Sequence, residues 1–240
     1  MTYGGSEVMV NQMELDQLTE DAKRVLRNRN EGSKVCHPSV IEFSGSPKAG
    51  KTTTIDIVSH FYKRLGFRVW APTEGASKRT PYHLKKDLVA FNSWSLNYAI
   101  SELLLAYYNV DNPDLIILDR GPFDSLAWMA MLQERGEISQ NDYSTIKSYA
   151  TLEKWSNLVS TVFVFTCSPE ISLEREHESK LTTAPGTAMN KEILAAMLRQ
   201  YELLASKSNG YPIKRIDTAS GTTPKTTAYE VAKVVLDTLE

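Results

Sequence analysis

Apolar positions along the chain fall into two kinds of run that alternate. Short stretches such as DLIILD (114–119), a continuous apolar run closed by an acid, have the pattern of a strand buried on both faces, and STVFVFTC (160–167) reads as a further strand. Longer stretches carry apolar residues at helical spacing; over residues 50–65 these are Ile55, Ile57, Val58, Phe61 and Leu65. In order, the pattern predicts a helix over 13–29, whose early acids and late bases suit the helix dipole. A break at NEGSK follows, then a short strand at SVIEF, the helix over 50–65, and a strand at FRVWAP that ends at Pro72. A long helix is expected over 82–108, the strand DLIILD next, and helices from GPFDSLAWMAMLQER and over 141–158. The strand STVFVFTC leads to a short charged helix with Pro169 near its start, the uncharged loop LTTAPGTAMN and a helix over 191–207. PIKRIDTA is a fifth strand, and a closing helix has Pro224 in its first turn. Strands alternating with helices predict an α/β fold, a five-stranded parallel sheet flanked by helices, with ligands at the carboxyl ends of the strands. Residues 1–38 read as an N-terminal helical extension, packed on the domain or mediating a contact, and 39–240 as the domain itself.

Composition narrows the class. At 240 residues the chain suits one domain with an appendage. A net charge of −2 without a polybasic tract argues against a nucleic-acid binder. Cys36 and Cys167 are too few for a disulfide framework, so buried, inert thiols in a reducing cytoplasm are expected. The N-terminal stretch lacks the basic start and apolar run of a signal peptide, and no segment approaches the ~18 apolar residues of a membrane span.

The chemistry is concentrated in FSGSPKAGKTTT (43–54). Residues 45–52 match G-x-x-x-x-G-K-[ST] in full, between a predicted strand and a predicted helix. Gly45 permits the turn out of the strand and Gly50 lets backbone approach phosphate. Gly45, Ser46, Lys48, Ala49, Gly50, Lys51, Thr52 and Thr53 form the expected binding set for ATP or another nucleoside triphosphate. Lys51 is expected to reach the β- and γ-phosphates and the Thr52 hydroxyl to ligate Mg²⁺. Pro47 has no N–H to offer and stiffens the loop. The apolar strand 115–118 ends in Asp119, the second expected Mg²⁺ ligand, and Arg120 beside it is placed to neutralise charge on a transferring phosphoryl group.

The phosphate loop, TEG (73–75), LDRGPFDSLAW (118–128) and SPEISLERE (168–176), taken in that order, resemble the thymidylate kinase and deoxynucleoside kinase group of P-loop kinases. The resemblance runs from about residue 40 to the C-terminus. It implies a three-layer P-loop NTPase fold with a lid segment after the fourth strand. It also implies that Asp119 supports Mg²⁺, that Arg120 contacts the phosphates in flight, and that Arg175 belongs to the lid. Glu74 resembles the deoxynucleoside kinase carboxylate that accepts a hydroxyl proton, hence a candidate general base; the nearby acid of thymidylate kinases acts differently. Three positions depart from the group. Pro72 and Thr73 stand where thymidylate kinases have an arginine before that acid. Gly121 stands where their tyrosine follows the Asp-Arg pair. The lid offers one arginine, with His177 and Lys180 nearby.

Those departures leave the acceptor open. In the basic loop EGASKRTPYHLKKD, Arg79 either grips an acceptor phosphate or belongs to a solvated helix start with Lys78, Lys85 and Lys86. In the resembling kinases the next helix packs on the acceptor base. Here that helix carries Phe91, Asn92, Trp94, Asn97 and Tyr98, with Asn92 or Asn97 as the amide that pairs with the base edge and the aromatics as stacking groups or core. Asp124 and Ser125 either face the acceptor or, for Asp124, cap a helix. The loop 217–223 borders adenine in the group. The leading expectation is ATP- and Mg²⁺-dependent transfer to a small-molecule acceptor, a nucleoside or nucleotide. The alternatives are a nucleotide switch acting on a protein partner, motivated by the N-terminal helix and by the departures at the acceptor site, and a kinase of nucleic-acid ends. A homodimer is allowed, a membrane is not expected, and nucleic acid is disfavoured.

Overall fold

The computed structural model describes residues 10–32, 36–72, 79–179, 189–206, 210–218 and 222–240. Its helices are α1 (Gln12–Glu31), α2 (Lys51–Leu65), α3 (Leu88–Tyr107), α4 (Pro122–Glu134), α5 (Gln140–Ala150), the single turn α6 (Glu153–Ser156), α7 (Pro169–Ser179), α8 (Lys191–Ala205) and α9 (Pro224–Leu239). Its strands are β1 (Ser39–Gly45), β2 (Val69–Trp70), β3 (Leu115–Asp119), β4 (Thr161–Thr166) and β5 (Ile213–Asp217). The five strands form one sheet in the order β2-β3-β1-β4-β5, and every neighbouring pair is parallel.

Strand alternation sorts the core onto two faces. Ile41, Phe43, Leu115, Ile117, Phe163 and Phe165 pack with α2, α9 and the buried Leu18, Ala22 and Val25 of α1. Val40, Ile116, Leu118, Val162 and Val164 pack with α3, α4 and α8. The three layers expected from the sequence are therefore present, and α1 is part of one of them. Its entry is fixed by a reciprocal cap between Asn11 and Glu14. Arg29 near its end donates to the carbonyls of Leu239 and His37.

Two expected helices are divided. Residues 82–86 form a 3-10 turn, and α3 begins afresh where the Asp87 carboxylate accepts from the N–H groups of Val89 and Ala90 at 2.9 and 3.0 Å. The stretch 141–158 breaks at Leu152, which is extended at φ −56°, ψ 127°. The second strand pairs over only two residues at the sheet edge. The chain leaves β1 for α2 on one face and β3 for α4 on the other, so adjacent strands open a crevice at their carboxyl ends.

Candidate functional site

The loop after β1 lies in that crevice, and its shape follows from what holds its carbonyls. Each carbonyl from Gly45 to Gly50 accepts a hydrogen bond from the protein. Lys51 Nζ donates to Gly45 and Ser46 at 2.9 and 2.8 Å. Ser172 Oγ donates to Pro47 at 2.9 Å, Arg175 Nη1 to Lys48 at 3.1 Å, and Thr218 Oγ1 to Ala49 at 3.0 Å. Thr54 donates to Gly50 through both N–H and Oγ1. In a trans peptide the next N–H points opposite to the carbonyl. Each held carbonyl turns the amide that follows it the other way, the arrangement from which an anion nest is built.

Backbone constraints explain the glycines. Gly45 has φ 127°, and a Cβ there would overlap the Phe165 carbonyl, which accepts the Ser46 N–H at 2.9 Å. Gly50 has φ 85° with open space beside it, so it serves conformation rather than close packing. Lys48 and Arg120 hold φ 59° and 64°, left-handed conformations that non-glycine residues adopt at a cost of roughly 1–3 kcal/mol, mostly at functional sites.

The crevice encloses a cavity of about 630 Å³. Lys48, Lys51, Thr52, Thr53, Asp119, Arg120 and Arg175 line one part, and Thr218, Thr222, Thr223 and Thr227 the other. With four cations and a single carboxylate among its lining residues, it suits a polyanion. Lys51 is buried, whereas the Thr52 and Thr53 side chains are exposed. Among the described residues no group of three or more His, Cys, Asp or Glu is arranged to hold a metal. Thr52 and Asp119 supply hard oxygen donors to the one cavity, a set that fits Mg²⁺, which keeps waters and phosphate oxygens in its remaining positions.

Not every expected phosphate donor is turned to the cavity. The N–H groups of Gly45, Ser46 and Ala49 are engaged by Asp124, Phe165 and Ser46. Ser46 Oγ is buried and makes no hydrogen bond. Lys48 Nζ lies 3.0 Å from Glu176 of α7. Arg175 Nη2 donates to the Thr218 carbonyl at 2.8 Å, so this guanidinium ties the phosphate loop to the loop after β5 at the cavity edge.

The acceptor candidates are scattered. Asn92 is buried, with its amide on the Leu88 carbonyl of its own helix. Asn97 is exposed and bonds Ser93 and the Tyr149 hydroxyl. Trp94 and Tyr98 are parallel at 5.2 Å, and the Arg79 guanidinium lies 5.5 Å from the Tyr98 ring centre and 3.9 Å from Glu102. None of these residues lines the cavity. Lys85 and Lys86 are exposed on the 3-10 turn. Glu74, Lys78, Lys180, residues 181–188 of the loop 181–190 and residues 219–221 of the loop 217–223 lie outside the described residues.

Asp124 departs most from expectation. It does not front the cavity and is not the helix cap; it is buried below the phosphate loop, its oxygens bonded to Gly45 N–H, the Tyr201 hydroxyl and Arg120. The capping role belongs to Glu42 in mid-β1, whose carboxylate accepts from Phe123 N–H at 3.2 Å and Asp124 N–H at 2.8 Å. Burial pushes Glu42 up to about 7, against the hydrogen bonds from Ser44, Asp124 and Phe123. The same carboxylate explains Gly121, where a Cβ would overlap it.

Glu42, Ser172, Thr218 and Tyr201 were not singled out from the sequence. A lone acid in SVIEF was a signal for the first, and the spacing of Ser172 three residues before Arg175 on one helix was a signal for the second. Thr218 fell within the loop 217–223 without a role of its own, and Tyr201 gave no signal.

No family model and no curated protein matches the sequence. Solved structures of deoxyadenosine kinase from M. mycoides share the fold. The form with bound dATP has a TM-score of 0.61 at 20% identity, covering 81% of this chain and 98% of that one. The form with products dCMP and a flexible dCDP has 0.59 at 18%, covering 81% and 97%. The form with bound dCTP has 0.54 at 21%, covering 81% and 97%.

Proposed function

We propose that the chain is a P-loop phosphotransferase that uses ATP with Mg²⁺ to phosphorylate a nucleoside or nucleotide. The observation that carries this reading is the loop after β1, its carbonyls held by the protein, which lines one cavity together with Asp119, Arg120 and Arg175. The nucleotides named with the solved deoxyadenosine kinases favour a deoxynucleoside over thymidylate as the acceptor class.

In this reading the acceptor hydroxyl oxygen attacks the γ-phosphorus, an O–P bond forms, and the bond to the leaving ADP oxygen breaks. Glu74 takes the hydroxyl proton. Lys51 and backbone amides of the loop hold the β- and γ-phosphates, while Arg120 meets the charge on the phosphoryl group in flight. Thr52 and Asp119 would hold Mg²⁺, which when bound would supply neutralisation of phosphate charge. Arg79 and the Trp94–Tyr98 stack stand as the acceptor side. Little covalent chemistry falls to the protein; positioning and charge do the rest.

The switch reading drew on the N-terminal helix and on the departures at the acceptor site; the helix is packed into the layer with α2 and α9, which removes the first ground and leaves the second to experiment. The experiment is ADP release from ATP and Mg²⁺ across a panel of nucleosides and nucleotides. Release that depends on an acceptor is expected. Turnover indifferent to every acceptor, or no nucleotide binding, overturns the proposal.

A further inference from the structure

Beneath the cavity is a buried polar layer that phosphate binding does not itself use. Asp124 is 3% exposed. Its Oδ1 accepts from Gly45 N–H at 3.2 Å and from the Tyr201 hydroxyl at 2.7 Å, and its Oδ2 accepts from Arg120 Nη1 at 2.9 Å. One carboxylate thus joins the first residue of the phosphate loop, helix α8 and the guanidinium that fronts the cavity. Burial, and then the Asp124 charge, hold the Tyr201 hydroxyl well above its ordinary range, so it remains a donor. The carboxylate is fixed from behind as well. Glu42 Oε1 accepts from Asp124 N–H at 2.8 Å and from Ser44 Oγ at 2.6 Å, and Arg120 N–H donates to the Phe43 carbonyl at 3.0 Å.

Two acids under one loop are not what stability alone selects. Apolar residues of similar volume fill such a space at equal or lower cost. What the acids add is direction, because each oxygen accepts from a donor at a defined place. Arg120 is held at both ends, its backbone on β1 and its guanidinium on the same carboxylate that holds Gly45.

We propose that Asp124 is a positioning residue that fixes the Arg120 guanidinium at a set distance from the phosphate loop, with Tyr201 anchoring it to α8. The inference rests on the phosphotransfer reading of the cavity. Without the brace, the loop still binds nucleotide, but Arg120 is no longer waiting where phosphoryl charge develops.

Asp124→Asn separates these roles. The amide oxygen still accepts from Gly45 and Tyr201, while the amide N–H groups that replace Oδ2 meet the N–H groups of Arg120. The test is calorimetric affinity for ADP·Mg²⁺ with and without aluminium fluoride, a mimic of the transferring phosphoryl group. In the wild type the fluoride tightens ADP binding. In Asp124→Asn, ADP affinity should stay near wild type and the tightening should fall roughly tenfold or more. Arg120→Ala should lose it as well, and the double variant should be no worse than Arg120→Ala alone. Tyr201→Phe should lose a smaller share, and it carries the test if Asp124→Asn does not fold. Unchanged tightening in the folded variants, additive losses, or ADP affinity falling in step with the fluoride complex would overturn the brace alone. A wild type that binds no ADP, or shows no tightening, overturns the phosphotransfer reading and the brace together.

Discussion

Lys51 has two tasks that one substitution can separate. Its ammonium closes the loop on the Gly45 and Ser46 carbonyls and is the cation expected at the γ-phosphate. Lys51→Met keeps the methylenes and removes the charge. Acceptor-dependent ADP release should fall roughly 10²–10³-fold, while far-UV circular dichroism stays native; wild-type release from the purified variant would remove Lys51 from the chemistry. Glu42 gives a pH signature. It is raised from 4.5 to about 7 by burial, so the folded chain binds this proton more tightly than the unfolded chain. Its contribution is fully present below about 4.5 and lost as pH rises through about 7. The unfolding free energy of wild type minus that of Glu42→Gln should decline by roughly 3 kcal/mol across that window and be flat on either side. Urea titrations in half-unit pH steps measure it, and a flat difference throughout would refute the assignment. Asp124 and Tyr211 are the charged and titratable neighbours that share its field.

At the scale of elements, α1 shows what sequence patterning reaches and where it stops. Its period and dipole marked a helix over 13–29, and the structure gives Gln12–Glu31. Whether it packed or reached outward was not legible, because that depends on partners in other elements, α2, α9 and Asp114 just before β3 among them. Arg29 makes the difference: it donates to Leu239 and His37, and its Nε lies 3.7 Å from Asp114. Burial opposes the Asp114 charge, but the hydrogen bonds from Arg68 outweigh it and hold the carboxyl below its ordinary value. Arg29→Ala should therefore lower unfolding free energy by about 1–3 kcal/mol, read from the denaturant midpoint, with ADP affinity unchanged because α1 does not line the cavity. The turn from β1 into α2 was legible for a related reason. Its chemistry is written in eight contiguous residues, whereas the donors that shape it, Ser172, Arg175 and Thr218, come from two other elements. The break before α3 was readable in principle, since Asp87 precedes an apolar helix as an N-cap does.

Taken whole, the molecule sets its cavity where β1 and β3 send their chains to opposite faces, so a ligand there bridges both layers of the fold. Loop residues from the α2 side and Asp119 and Arg120 from the α4 side must be ordered together for it to bind. Binding should therefore appear as global stabilisation rather than local tightening. At a nucleotide concentration near 100 times its dissociation constant, mass action adds about 2.7 kcal/mol, which for a chain of 240 residues corresponds to a rise in Tm of roughly 5–10 °C. A non-hydrolysable ATP analogue with Mg²⁺ should give this shift, chelation of Mg²⁺ should reduce it, and added salt should weaken it because the lining is cationic. The same measurement discriminates the function. A kinase holds donor and acceptor at once, so the correct nucleoside adds a second shift on top of the saturated first one. A switch has one ligand, and no nucleoside moves Tm further once the analogue is bound. A panel that gives the first shift and never the second would retain the nucleotide site and reject the acceptor.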